Sequence, residues 1–216
     1  MEGNAATEVR LMPDRHAGVD VVIRRLRSAD RSSAVGVAAR AFQSEEFMVG
    51  MLGADPLARY AGAWTIYDSE PWDQDALVLG AYAGTALLGT VRASYPGRCT
   101  LCQNFDPDAP PSDPVLRKEW EFEKGARETH LPYEDHGWIS RMAVEPAVHG
   151  HGIGGRLLEA AVSELASSIA PGAARPPLLL EALASRETWY LAHGFTRVGI
   201  CPDPWAERSY LYARTL

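Results

Sequence analysis

A chain of 216 residues, 46% of them hydrophobic, is long enough to bury a sizeable α/β core. Its formal net charge of −7 speaks against nucleic acid as a main partner and suits cationic substrates such as amines. No apolar run reaches the length of a membrane span, the N-terminal stretch has no signal-peptide core, and three cysteines make no disulfide framework, so no membrane partner and a cytoplasmic location are expected.

Residues 1–18 read as a tail and residues 19–216 as one domain. Val21-Val22-Ile23 opens a first strand, and Ser28 or Asp30 is placed to cap a helix through Val35, Ala38, Ala39 and Phe42. A second helical piece covers Glu45 to Leu52, and a third starts at Asp55-Pro56 and runs through Tyr60 and Trp64. The large side chains on these helices, Phe47, Met51, Tyr60 and Trp64, have core packing as their plain reading. Residues 76–83 and 86–95 read as two strands of an antiparallel hairpin turning at Gly84-Thr85. Gly80 and Gly89 inside them suggest bulges or close approaches.

The stretch 96–136 is long for a connection between strands, so it is expected to carry function or structure of its own. It ends in a helix with Asp113 near its cap and Pro114 in its first turn, along which Glu119 and Glu123 are spaced to pair with Lys124 or Arg127. It begins with Cys99-Thr100-Leu101-Cys102. A zinc site needs two more ligands, and His130 and His136 are the residues that would complete it. The plainer expectation is two buried or idle thiols and no metal.

Trp138 to Leu158 is the most informative stretch. Ile139, Met142 and Val144 belong to a buried strand ended by Pro146, and Leu157, Leu158, Ala161, Val162 and Leu165 follow at helical spacing. Between them lies His149-Gly150-His151-Gly152-Ile153-Gly154-Gly155. A helix start carries free N–H groups and partial positive charge, and glycines there let the backbone approach a phosphate. A P-loop is excluded because no Gly-Lys-Ser/Thr follows. Gly150, Gly152 and Gly155 do fit G-x-G-x-x-G. However, the acid at the end of the next apolar run, Glu181, lies beyond the usual spacing of about 20 residues, and too little chain remains for the rest of a dinucleotide-binding sheet. Past the helix, Leu178-Leu179-Leu180 is a buried strand, a short helix spans Arg186 to His193 and stops at Gly194, and two strands follow at 197–200 and 209–213.

Ala143-Val144-Glu145-Pro146 followed by the run from His149 to Gly154 resembles motif A of the GNAT superfamily of acyl-CoA-dependent N-acyltransferases, with His149 where the family has Arg or Gln. Trp189-Tyr190-Leu191-Ala192-His193-Gly194-Phe195 resembles the family's second signature. The resemblance covers about residues 19–216 and implies an α/β fold. Its central mixed, mostly antiparallel sheet of about six to seven strands would be flanked by helices and splayed in the middle, with 96–136 as an insertion.

It further implies transfer of an acetyl group from acetyl-CoA, as co-substrate, to the primary amine of a small molecule. Longer-chain transfer from acyl-CoA or acyl-carrier protein, or a non-catalytic CoA sensor, are the alternatives. Met142, Ala143 and Val144 would hold the pantetheine arm through their backbone, and His149, Gly150, His151, Gly152, Ile153, Gly154 and Gly155 the diphosphate. Tyr190 would be the general acid, and no motif selects the base among Glu45, Glu46, Glu134, His136 and Glu181. Phe47, Met51, Tyr60 and Trp64 would wall the acceptor site if they are not core, and a homodimer is a common family state. Arg141 is read equally as a receptor for a carboxylate-bearing acceptor or as a core-edge salt bridge. The run Ile-Ser-Arg-Met around it is also similar to a strand of acyl-homoserine-lactone synthases, GNAT relatives with carrier-protein donors.

Overall fold

The structure, a computed structural model, describes residues 20–70, 72 and 76–216; the tail expected over 1–18 lies outside the described residues. Seven strands form one sheet: β1 (Val21–Arg25), β2 (Ala76–Ala83), β3 (Ala86–Ser94), β4 (Gly137–Val144), β5 (Pro177–Leu183), β6 (Thr196–Cys201) and β7 (Ser209–Thr215). Their order is β1-β2-β3-β4-β5-β7-β6, and every neighbouring pair is antiparallel except β4 with β5. The expected mixed, mostly antiparallel sheet is thus the observed one.

Both faces of the sheet are covered, which is why β2 is buried along almost its whole length instead of alternating. One face packs on α6 (Ile153–Ser167), whose Leu157, Leu158, Ala161 and Leu165 meet Leu77, Leu79, Val91, Ile139, Leu178 and Leu180. The opposite side is covered by α1 (Arg31–Phe42), α2 (Glu46–Leu52) and α3 (Pro56–Ser69). Their Val35, Ala38, Ala39, Met48, Met51, Ala63, Ile66 and Tyr67 gather around Ala143. Gly89 marks a close approach: a Cβ there would sit 2.9 Å from both the Ala143 carbonyl oxygen and Leu157 Cδ1.

The stretch 96–136 holds a short turn of helix, α4 (Thr100–Gln103), and the long α5 (Pro114–His130), capped by the Asp113 carboxylate accepting from the N–H groups of Val115 and Leu116. The expected pairing of Glu119 along α5 is corrected: Glu119 turns inward to Arg141. Within reach of Coulomb attraction, a buried guanidinium outbids a solvated neighbour on the same helix. The chain closes with α7 (Glu187–Ala192), entered through a 3₁₀ turn.

Two irregularities in the sheet prepare the site. Between β3 and β4 the register slips by one residue: Arg92 faces Arg141 while Ala93 faces Ile139, so Ser140 is the extra residue of a bulge. Between β4 and β5 the pairing covers only Gly137 with Leu178 and Trp138 with Leu179. Beyond that, no pairing between β4 and β5 is found among the described residues, and the strands diverge. No described helix is long and apolar enough to cross a membrane.

Candidate functional site

The divergence of β4 and β5 opens a cavity of about 640 Å³. Its floor is Ile139–Val144 of β4 and Leu180–Leu183 of β5. A strand that leaves its neighbour exposes backbone N–H and C=O groups that need partners, so this edge offers hydrogen bonds to an extended ligand. Met142, Ala143 and Val144 all border the cavity.

One end of the cavity is the loop from His149 into α6. Gly150 and Gly152 adopt φ of 80° and 74°, in the left-handed region where a Cβ is strained. Gly152 is the N-cap of α6 and has no side chain to meet the first-turn N–H groups, so these remain available to an anion. Gly150, Gly152, Ile153, Gly154 and Gly155 line the cavity together with His149, whose Nε2 lies 2.9 Å from the Val144 carbonyl oxygen. His151 does not line it; its Nδ1 lies 3.0 Å from the His149 carbonyl oxygen. Gly155 has a second duty: a Cβ there would come within 2.9 Å of His193 Nε2, so glycine lets α7 pack on α6.

Tyr190 stands on the wall, its ring stacked on Tyr212 at 5.6 Å and edge-on to Trp189 at 4.9 Å. Burial raises its phenol above the ordinary value, so it stays protonated across the physiological range.

The other end is built from charge. Arg141 binds Glu119 of α5 and, through Nε at 2.9 Å, Glu70 at the end of α3. Its guanidinium lies 5.5 Å from the centre of the Tyr67 ring. Glu70 also meets Arg92 at 3.5 Å, and Arg92 donates to Ser140 Oγ at 2.9 Å. Burial disfavours the Arg141 charge, but Glu119 and Glu70 outweigh it. Glu119 is raised, because burial exceeds the pull of Arg141. One turn on, Glu123 is pushed up to about 8, first by burial and then by the negative charge of Glu119. Of the two readings of Arg141, the geometry is that of the salt bridge, at the cavity edge.

The candidate bases separate clearly. Glu45 borders the cavity and pairs with Arg186. Glu181 also borders it, held by His130 and by Trp138 Nε1 at 3.0 Å. Burial would raise Glu181, but His130 and these hydrogen bonds outweigh it and hold the carboxyl below its ordinary range. Glu46 is turned away and accepts from the Glu207 N–H, Glu134 is exposed outside the lining, and His136 is buried with its Nδ1 2.7 Å from the Tyr133 carbonyl oxygen. Phe47 lines the cavity, but Met51 is buried beneath it. Tyr60 and Trp64 face elsewhere, Trp64 towards a separate hollow beside Arg40 and Tyr82.

Sequence reasoning missed Phe42, Tyr67, Glu119, Trp189 and Asp203, which also form the lining. Asp203 accepts from the N–H groups of Trp205 and Ala206 and from Ser209 Oγ at 2.7 Å, and pairs with no cation among the described residues. The Asp-x-x-x-x-x-Ser turn before β7 was its only sequence signal.

Comparison with known proteins agrees with this geometry. Residues 121–197, from the middle of α5 to the start of β6, match the family model described as an acetyltransferase (GNAT) domain. No curated protein matches the chain. Among solved structures, a histone acetyltransferase HPA2 and related acetyltransferase from Corynebacterium glutamicum is 15% identical. The alignment covers 89% of this chain and 94% of that one, with a TM-score of 0.59. A mosquito arylalkylamine N-acetyltransferase like 5b is 13% identical, with 91% and 100% covered and a TM-score of 0.60. The PaiA N-acetyltransferase of Thermoplasma acidophilum, solved in complex with coenzyme A, is 13% identical, with 91% and 99% covered and a TM-score of 0.53. At such identities the likeness is one of fold.

Proposed function

We propose that this chain, which has the GNAT fold and a GNAT acetyltransferase domain match, transfers an acetyl group from acetyl-CoA to the primary amine of a small molecule. The observation that carries this reading is the single cavity that joins an unpaired strand edge to a glycine-capped helix start. An extended pantetheine arm needs the first, and a diphosphate needs the second. The coenzyme A complex of the Thermoplasma protein, a neighbour in fold, supports the same donor.

In this reading the N–H groups around Gly150, Gly152 and Gly154 bind the diphosphate, and the backbone of Met142 to Val144 orients the thioester. Tyr190 gives its proton to the departing thiolate; a buried phenol, protonated at neutral pH, suits that task. The acceptor approaches from the side of Phe47, Glu45 and Asp203. Asp203, whose donors among the described residues are neutral, favours a cationic amine, because an ammonium would neutralise it. Glu181 is tied up by His130 and Trp138, which leaves Glu45, at the acceptor side of the cavity, as the group to receive the amine's proton, directly or through water. Three unpaired cysteines fit a reducing compartment such as the cytoplasm.

Calorimetric titration with CoA and with acetyl-CoA tests the donor, and release of free CoA across a panel of amines tests the reaction. We expect micromolar binding and turnover on at least one small amine. No heat and no change in melting temperature with either thioester or thiol would overturn the assignment.

A further inference from the structure

We propose that Cys99, Cys102, His130 and His136 bind one zinc ion in a closed tetrahedral site that pins the 96–136 segment to the sheet. One ligand atom from each lies within 4.8 Å of every other. A tetrahedral zinc with two sulfur and two nitrogen ligands holds those atoms about 3.3 to 3.8 Å apart. Here His130 Nδ1 is 3.1 Å from His136 Nε2 and 3.7 Å from Cys99 Sγ. The spacings, Cys-x2-Cys and His-x5-His, fall within those of structural zinc sites.

The outer hydrogen bonds argue independently of these distances. His136 Nδ1 faces the Tyr133 carbonyl, which can only accept, so this nitrogen carries a proton. His130 Nε2 faces the Glu181 carboxylate, so it too carries one. In the neutral rings this leaves two lone pairs, on His130 Nδ1 and His136 Nε2, pointing at each other beside two thiols, in a place where His130 is 0% and His136 1% exposed. Something positive must therefore lie between them, either a second proton on His130 or a metal ion. A divalent ion there accepts both lone pairs and both sulfurs, and a carboxylate and a carbonyl hold the far sides of the two rings, as the outer partners of metal-bound histidines do. Two thiolates balance the charge of the ion, so binding releases two protons from the thiols. Sulfur and imidazole in this number select zinc over calcium or magnesium. With four protein ligands no position stays open, which makes the site structural and not catalytic.

The ligands come from the turn of α4, the C-terminal end of α5 and the loop before β4. The ion would therefore fix α5, which carries Glu119 to Arg141, and would hold Glu181 at the cavity wall. This departs from the sequence expectation of idle thiols and no metal. It is also independent of the donor reading.

The test uses the full chain purified under reducing conditions, offered Zn²⁺, dialysed against metal-free buffer, and assayed for metal by mass spectrometry. About one zinc per chain is expected. Replacement by Co²⁺ should give visible bands and a thiolate charge-transfer band, and Cys102→Ser or His136→Ala should lower retained zinc more than tenfold. If these variants do not fold, the cobalt spectrum of the wild-type chain decides. Less than a tenth of an equivalent of zinc in a chain offered Zn²⁺ before dialysis, a cobalt form without the thiolate band, or folded variants that keep their zinc would each overturn the proposal. Titration with CoA on the same samples reports the donor site separately.

Discussion

The loop 149–155 and the cluster around Arg141 border the same cavity, yet the first is made of main chain and the second of side chains drawn from four segments. In the loop, φ values at Gly150 and Gly152 and the free start of α6 do the shaping. In the cluster, Glu70, Arg92, Glu119 and Arg141 must arrive from α3's end, β3, α5 and β4 before any one of them is satisfied. The difference teaches where stability and binding are vulnerable. Damage to the cluster should appear first in folding, and damage to the loop first in affinity.

The largest effect tests the cluster. Arg141→Met leaves Glu119 without its cation and Glu70 with Arg92 alone, and we expect a loss of about 3–5 kcal/mol in urea unfolding. Adding Glu119→Gln should recover part of it; a purely additive double variant would show that the carboxylate and the guanidinium do not act as a unit. Next comes Tyr190→Phe, which removes one hydroxyl from a wall residue. Turnover should fall about a hundredfold while unfolding changes by less than about 1 kcal/mol. A full rate at alkaline pH would remove Tyr190 from the chemistry.

Gly152→Ala places a Cβ in the left-handed region at a cost of about 1–2 kcal/mol. Its CoA affinity should fall more steeply than that modest strain predicts, whereas Glu119→Gln should leave CoA affinity nearly untouched. Equal loss in both would dissolve the contrast between the two ends. The smallest effect is a pH slope. Glu123 keeps its proton up to about 8 in the folded chain, whereas the unfolded chain releases it near 4.5. Its contribution is therefore fully present below pH 4.5 and fades as the pH rises to 8. Glu123→Gln should flatten the fall in stability over that window by about 1–2 kcal/mol. An unchanged slope would mean that the carboxyl is solvated.

The same contrast explains what could be read in advance. The glycine run, Pro146, and the Tyr190-Gly194-Phe195 spacing are local, so their geometry is written within a few residues, and the structure brings Gly150, Gly152 and Tyr190 to one cavity. Helix spacing alone gave Phe47, Met51, Tyr60 and Trp64 equal standing, but only tertiary packing decides which face of α2 and α3 meets the cavity. Glu70 and Asp203 were invisible because an ion pair or a hydrogen-bonded turn between distant segments leaves no periodic trace. His130 and His136 show the intermediate case: the ligand types were countable, but their approach to Cys99 and Cys102 depends on how α5 lies against β4.

The extra residue in β4 has a consequence for protein engineering. Because side chains alternate along a strand, Ile139 and an unbulged third residue after it would point oppositely, yet Ile139 and Met142 both pack under α6. Ser140 thus acts as a phase shifter that turns Arg141 out of the oily layer and towards its carboxylates. Deleting that one serine would close the bulge and let Ile139, Arg141 and Met142 alternate as in an ordinary strand, so the guanidinium should keep its side while the local twist and the Arg92–Ser140 hydrogen bond are lost.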